Sequence, residues 1–284
     1  AKIKALAQDK IESYGLSLSK SRPADSLFTI LEQEHIPWLK YPIPSDDSER
    51  PSFSAALLVT NHGDNPFHIL GLNTGDYYDK QLFAIAHELY QYYKKMGNHL
   101  SYLRENETDP IELRANRFAA EFLLPEAAIE NLVFKAFNFT DLKRVSQNRL
   151  ERFIAKVHVN WSLPYRSIVR RLHELNMINK DQYECLYSVQ ERSPDSDYYK
   201  YARALYGDAF VDLNTKTMDT GVSPDDFDVI IQNYEDGYID EDTFENVINL
   251  FGFNPKSFNI DNTIDDDEID GILSSIESDN KDES

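Results

Sequence analysis

One short segment of this sequence has the residue types and spacing of a metal-dependent hydrolase. His87 and Glu88 are adjacent, and Gln91 follows three positions after the glutamate. In a His-Glu-x-x-His helix the two histidines share one face and bind a zinc ion, while the glutamate acts as general base toward the metal-bound water. Here a glutamine stands at the second histidine position. The His-Glu pair alone is weak evidence, since His173-Glu174 is a second such pair, and taken alone His87 fits an ordinary helix residue better.

A second segment offers the carboxylate that such a site needs. Catalytic zinc sites commonly combine histidine with a glutamate and keep the fourth coordination position for water. Glu112 and Asn116 are four residues apart, which places them on one helix face, and Phe118 and Phe122 lie on another, apolar face. The apolar face is expected to pack into the core, so that a carboxylate on this helix can complete a zinc site on a neighbouring helix.

Periodicity and turn signals predict the elements that position these residues. Residues 1–40 have mainly helical spacing, and residues 52–59 and 66–72 are predicted to form the two strands of a hairpin. A helix is expected over 79–96. A second one is expected over 109–124, where an N-capping aspartate precedes a proline at the first helical position and a proline follows the last residue. Further helices are predicted beyond residue 140.

Together these segments resemble the ImmA/IrrE family of metallopeptidases. The most specific part of the resemblance is the run Glu112-x-x-Ala115-Asn116-x-Phe118-Ala119-Ala120-x-x-Leu123-Leu124-Pro125. The resemblance covers roughly residues 1–190 and includes the predicted hairpin, the helix with His87 and the helical segment 154–178. The fold that it implies is α+β, a zincin-like peptidase core with a small antiparallel or mixed sheet and a His-Glu-x-x-His-type helix, followed by helical extensions.

The resemblance also implies an activity and a partner. Family members are intracellular zinc peptidases, commonly encoded with a helix-turn-helix repressor or an antitoxin. Cleaving or displacing that partner relieves repression in mobile elements, phages or stress responses. Carried over by position, His87 and Glu112 are expected to be Zn²⁺ ligands, Gln91 takes the position of the second histidine, and Glu88 is the expected catalytic base.

Because a glutamine stands at position 91, the sequence is compatible with either an active or an inactive peptidase. Its amide oxygen is a weaker donor to zinc than an imidazole nitrogen, and Tyr90 stands where the family usually has a glycine. His99, just past the predicted helix end, is the nearby histidine considered as a substitute ligand. One hypothesis is an active zinc metallopeptidase that cleaves or inactivates a repressor or antitoxin. The alternative is an inactive pseudo-peptidase that acts as a protein-binding regulatory module.

The distribution of charge and of secondary-structure signals along the chain predicts four regions. Residues 1–190 hold 23 basic and 24 acidic side chains, whereas residues 191–284 hold 6 basic and 25 acidic ones. We expect a peptidase-like core over 1–135, a helix-turn-helix-like extension over 136–190, an acidic helical module over 191–258 and an acidic, disordered tail over 259–284. The tail keeps a short apolar stripe of the kind that forms an amphipathic helix on a partner, although a purely solvating role fits its composition better.

The same composition excludes several classes of partner. The acidic C-terminal third offers no face for nucleic acid, and no apolar run approaches the length of a membrane span. Arg166, Arg170 and Arg171 could contact phosphate in the helix-turn-helix-like segment, but a packing role for that segment is the preferred interpretation. Cys185 is the single cysteine, so we expect no internal disulfide and a cytoplasmic location.

Overall fold

The computed structural model describes residues 2–16, 22–43, 53–62, 65–95, 99–101 and 109–254. The chain divides into two compact units, Ala1–Asp226 and Phe227–Ser284. The domain boundaries expected at 135 and 190 fall within the first unit, and the four-part division stays a prediction. The predicted tail, 259–284, lies outside the described residues.

Secondary structure in the first unit follows an α+β order. Its elements are α1 (Lys2–Ser13), a 3-10 turn (Pro23–Ser26), α2 (Leu27–Gln33), β1 (Trp38–Tyr41), β2 (Ala55–His62), β3 (Asn65–Asn73), α3 (Tyr78–Tyr93), β4 (His99–Ser101), α4 (Pro110–Leu123), α5 (Glu126–Phe137), α6 (Gln147–Trp161), α7 (Tyr165–Glu174), α8 (Lys180–Tyr187), α9 (Asp197–Tyr206), α10 (Asp208–Leu213) and β5 (Gly221–Val222). The predicted α+β class with a small mixed sheet and helical extensions is confirmed.

The sheet has five strands in the order β4-β2-β3-β1-β5. β2 and β3 form the predicted hairpin, in antiparallel register from Ala55 opposite Leu72 onward. β1 runs parallel to β3, and β5 adds an antiparallel edge from far along the chain. β1 was predicted as the end of a helical region, and the structure corrects this: its alternating half-buried and exposed side chains are typical of a strand.

A tight connection between β3 and α3 fixes where the first site helix begins. The Asn73 side-chain oxygen accepts hydrogen bonds from the backbone N–H of Ile43 and of Gly75, both at 2.9 Å. A side chain at Gly75 would bring its Cβ to 2.9 Å from the Ile43 carbonyl oxygen, so this position needs glycine. The Ser54 hydroxyl donates to Asp76 at 2.7 Å and ties the connection to the start of β2.

The two site helices lie side by side in the core. α3 contacts β2, β3 and α4, and its side chains are buried almost continuously from Gln81 to Gln91. Because a helix that is covered on several sides presents few residues to water, even its polar side chains are buried. α4 begins as predicted: Asp109 caps it by accepting a hydrogen bond from the Ile111 N–H at 2.7 Å.

The second unit is described up to residue 254. The boundary between the units falls within α11 (Pro224–Glu235), which is followed by α12 (Glu241–Leu250). The rings of Tyr234 and Phe244 stack at 4.5 Å between centroids, and Phe244 and Ile248 are buried. This unit is therefore built around a small apolar contact between two acidic helices.

Candidate functional site

The structure brings the three predicted metal ligands together. His87 Nε2 lies 3.2 Å from Glu112 Oε2. The Gln91 side-chain nitrogen lies 3.5 Å from His87 Nε2 and 3.4 Å from Glu112 Oε1. His87 and Gln91 share one face of α3 because they are four residues apart, and Glu112 approaches that face from the first turn of α4. The contact between the two helices thus builds the cluster that the sequence predicts.

The cluster is buried. His87 and Gln91 are 0% exposed, Glu88 is 1% exposed and Glu112 is 3% exposed. Charged groups are costly to bury unless other groups compensate them, so the side chains of such a cluster must satisfy one another. Glu88, the predicted catalytic base, lies beside this cluster on the same helix and is as inaccessible to water as the predicted ligands.

Asn116 adds a fourth side chain to the cluster, one to which the sequence assigned no role. Its side-chain oxygen lies 3.0 Å from His87 Nδ1. An oxygen at this distance accepts a hydrogen bond from Nδ1–H, so that Nε2 faces Gln91 and Glu112. The four-residue spacing of Glu112 and Asn116 was the available signal, since both had to face the same neighbour.

Burial and neighbouring charges shift the pKa of His87 in opposite directions. Burial lowers the pKa of its imidazole, but the hydrogen bond to Glu112 and the charges of Glu88 and Glu112 raise it, and the net direction is upward. The carboxylates around His87 therefore stabilise a positive charge at the centre of the cluster. A bound cation and a protonated imidazole are alternative ways of supplying that charge.

The donor set does not fit a catalytic zinc ion. Zinc–ligand bonds of about 2.0–2.1 Å in a tetrahedron separate neighbouring donors by about 3.3 Å, and the separations around His87 are close to that value. The chemistry of the donors is the obstacle. Among the described residues, no three His, Cys, Asp or Glu side chains are grouped so that they could hold a metal. His87 and Glu112 are the two usual zinc ligands here, and the third position has an amide.

Gln91 is better suited to hydrogen bonding than to zinc in this setting. A side-chain NH₂ group has two hydrogens and can donate to two acceptors. The Gln91 amide donates to Glu112 Oε1 at 3.4 Å and lies 3.5 Å from His87 Nε2, so that one side chain contacts both. A glutamine thus links the same two side chains that a metal would hold, without requiring a metal.

The structure also shows where three other residues considered in the sequence analysis lie. His99 lies in β4, opposite Leu57, and its side chain is outside the described part of the structure. Cys185 is exposed on α8. Arg171 is buried in α7 and donates a hydrogen bond to Glu121 on α4, which agrees with the packing role preferred for this segment.

A second buried polar cluster was missed by sequence reasoning. Asp79, in the first turn of α3, accepts hydrogen bonds from Arg192 at 2.9 and 3.0 Å, and His158 Nε2 lies 3.2 Å from it. His158 Nδ1 lies 3.1 Å from the Tyr198 hydroxyl. The cluster fastens the site helix to α6, α9 and the segment between α8 and α9. Residues this far apart in the chain share no local pattern that could have revealed it.

Comparison with known proteins gives a match over part of the chain. Residues 43–173 match a peptidase family model described as IrrE N-terminal-like domain. This range contains His87, Glu88, Gln91 and Glu112. The chain has no match among curated proteins or among solved structures. No helix in the described ranges is both long and apolar enough to cross a membrane.

Proposed function

Residues 43–173 belong to the ImmA/IrrE family of metallopeptidases, and from this premise we propose that the protein keeps the family fold without a catalytic zinc ion. Its role on this proposal is that of a pseudo-peptidase, a regulatory module that binds a protein partner. The observation that carries the proposal is the position of Gln91. Its amide nitrogen lies within 3.5 Å of both His87 and Glu112, where a working site would have a second imidazole.

The proposed partner is a DNA-binding repressor or an antitoxin. The supporting feature of this chain is its charge, since residues 191–284 carry 25 acidic and 6 basic side chains. A protein that binds DNA needs a basic surface, and such a surface is attracted to an acidic one. Binding there would occlude the DNA-binding face, so the partner would be inactivated by displacement and not by cleavage.

A zinc metallopeptidase that cleaves the same partner is the second candidate. The observation that favours it is the spacing of His87 Nε2, Glu112 Oε2 and the Gln91 amide, which is close to the donor spacing of a tetrahedral zinc site. In this candidate the Gln91 side chain turns its oxygen toward the metal, and Glu88 is the general base.

Intact-mass analysis of the partner distinguishes the two candidates. The repressor or antitoxin is incubated with the protein in the presence of added zinc, and both its mass and its retention in the complex are measured. We expect a full-length partner that stays bound. The Gln91→His variant, which restores the second imidazole, is the matched comparison for peptide cleavage. A wild-type protein that cuts the partner, together with a Glu88→Gln variant that does not, would overturn the pseudo-peptidase proposal.

A further inference from the structure

A cationic cavity lies beside the candidate site, within the first unit. Its volume is about 320 Å³, and its walls come from α3, α4, α7, α8 and the segment after α8. The size is at the lower end of the range for small-molecule sites. Five basic side chains line the cavity, namely Lys80, Arg117, Arg166, Arg170 and Arg171, against two acidic ones, Glu174 and Glu191. Four of these basic side chains have a carboxylate partner, namely Lys80 with Asp76, Arg117 with Glu174, Arg166 with Glu191 and Arg171 with Glu121.

The acidic side chains nearby do not neutralise all of this charge. Arg117 pairs with Glu174, and Arg166 Nε lies 3.7 Å from Glu191. Arg170 has no carboxylate within ion-pair distance in the described part of the chain. Its guanidinium instead donates to the Tyr187 hydroxyl at 3.2 Å and lies 6.0 Å from the centre of that ring. The cavity therefore keeps an excess positive charge at Arg170.

Arg171 shows that buried donors also face this cavity. Its side chain is 1% exposed, and its Nη2 donates to Glu121. Among the described residues, Nε and Nη1 of the same guanidinium have no hydrogen-bond partner. A buried donor left without an acceptor is destabilising, and more so when it is charged. An acceptor bound in the cavity would remove that cost.

The orientation of α7 increases the attraction for an anion. Pro164, Arg166 and Ser167, at the start of this helix, line the cavity together with Arg170 and Arg171 one turn later. The N-terminus of a helix carries partial positive charge and N–H groups that the helix itself does not use. The start of α7 thus places partial positive charge beside the basic side chains that line the cavity.

We propose that this cavity binds the phosphate group of a small phosphorylated molecule. The donors that line it, from Arg170, Arg171 and the Ser167 hydroxyl, outnumber what the two oxygens of one carboxylate can use, whereas a phosphate has three terminal oxygens. Phe83 and Leu113 line the same cavity and offer an apolar surface for the organic part of the molecule. Asn116 also lines the cavity and lies 3.0 Å from His87, so the occupant is one side chain away from the candidate site. The assignment does not depend on whether zinc binds.

Titration calorimetry with phenyl phosphate, in a buffer of low ionic strength, tests the assignment on the full chain. We expect saturable binding at one site. Arg170→Gln should weaken it by tenfold or more, because a hydrogen bond to a charged group contributes about 1.5–3 kcal/mol. Ser167→Ala, a smaller change in the same wall, should weaken it about three- to tenfold. Arg144→Gln removes the same charge from an exposed position and should leave the Kd unchanged.

Three results would overturn the assignment. The first is the absence of saturable binding of phenyl phosphate. The second is an equal loss of affinity in Arg170→Gln and Arg144→Gln, which would show that general charge attraction and not the cavity is responsible. The third is binding of benzoate as tight as that of phenyl phosphate, which would make the cavity a carboxylate site. If Arg170→Gln does not fold, an unchanged Kd for Ser167→Ala counts against the proposal in the same way.

Discussion

The side chain at position 91 determines what holds His87 and Glu112 together. In a zinc site, the metal neutralises the carboxylate and separates the two ligands. Here Gln91 lies between them as a neutral donor, and the net upward direction of the His87 pKa shows that the surrounding carboxylates favour a positive charge on the imidazole. The cluster can therefore be stable inside the core without a metal.

We expect Gln91→Glu to be strongly destabilising. The change would bury a third carboxylate beside Glu88 and Glu112, with a single imidazole to compensate them, and should cost about 3 kcal/mol of unfolding free energy at neutral pH. Urea unfolding in the presence of a chelator measures the cost. Gln33→Glu, at an exposed position of α2, is the matched control and should have almost no effect. A Gln91→Glu protein as stable as the wild type, or one stabilised by added zinc to well above it, would contradict the account.

Among the elements, α3 is held at both ends of its buried stretch by polar contacts. The His87 cluster joins its C-terminal half to α4, and the Asp79 cluster joins its N-terminal turn to Arg192 and His158. Burial raises the pKa of Asp79, but the charge of Arg192 and the hydrogen bond from His158 outweigh this and lower it. The contact between Asp79 and Arg192, in the segment that follows α8, therefore helps to hold α3 where His87 can meet Glu112.

Asp79→Asn should destabilise the protein in a pH-dependent way. Because the folded-state pKa of Asp79 is depressed, its contribution is fully present above its unfolded value of about 3.9 and is lost as the pH falls through the folded value. We expect a loss of about 3 kcal/mol at pH 7, where the change leaves Arg192 buried without its carboxylate. The difference from the wild type should shrink below about pH 4. Denaturant unfolding of the wild type and of Asp79→Asn between about pH 7 and about pH 3 measures this difference in unfolding free energy. Asp181→Asn, at an exposed position, is the control. A difference that does not vary with pH would contradict a depressed pKa for Asp79.

The sequence predicted local elements and the site far better than it predicted distant contacts. Helical spacing placed His87 and Gln91 on one face of a helix, whereas the position of Glu112 beside them was implied by the family resemblance. β1 could not be predicted, since its four residues are too few to establish an alternating pattern and its pairing with β3 and β5 is set by residues far along the chain. The same reason explains the Asp79 cluster: neither Arg192 nor His158 has a local signal for a partner more than seventy residues away.

At the scale of the whole molecule, charge is divided between a nearly neutral part and a strongly acidic one. Residues 1–190 are almost balanced, while residues 191–284 hold 25 of the 49 acidic side chains. Within the balanced part, the cavity beside α7 concentrates basic residues. The chain thus combines an acidic region, proposed for a basic protein partner, with a basic cavity, proposed for a small anion.

Binding of the repressor or antitoxin partner should depend on salt. Attraction between exposed charges is screened as the Debye length falls, so the Kd should rise by tenfold or more between about 50 and 300 mM salt. A chain that ends at residue 258 lacks ten acidic side chains and one basic one and should show weaker binding and a smaller salt dependence. The two measurements are made with the same partner on both chains. An affinity that neither salt nor the truncation changes would exclude the acidic region from partner binding.

We infer that Gln91 has replaced a metal-binding site with a hydrogen-bonded one. Elemental analysis of the purified wild-type protein and of Gln91→His, each supplied with zinc and then dialysed, distinguishes the two kinds of site. We predict no bound zinc in the wild type and close to one zinc ion per chain in Gln91→His, with Gln33→His, at an exposed position of α2, as a control that gains none. One zinc ion per wild-type chain, lost on changing His87 or Glu112 to alanine, would contradict the claim.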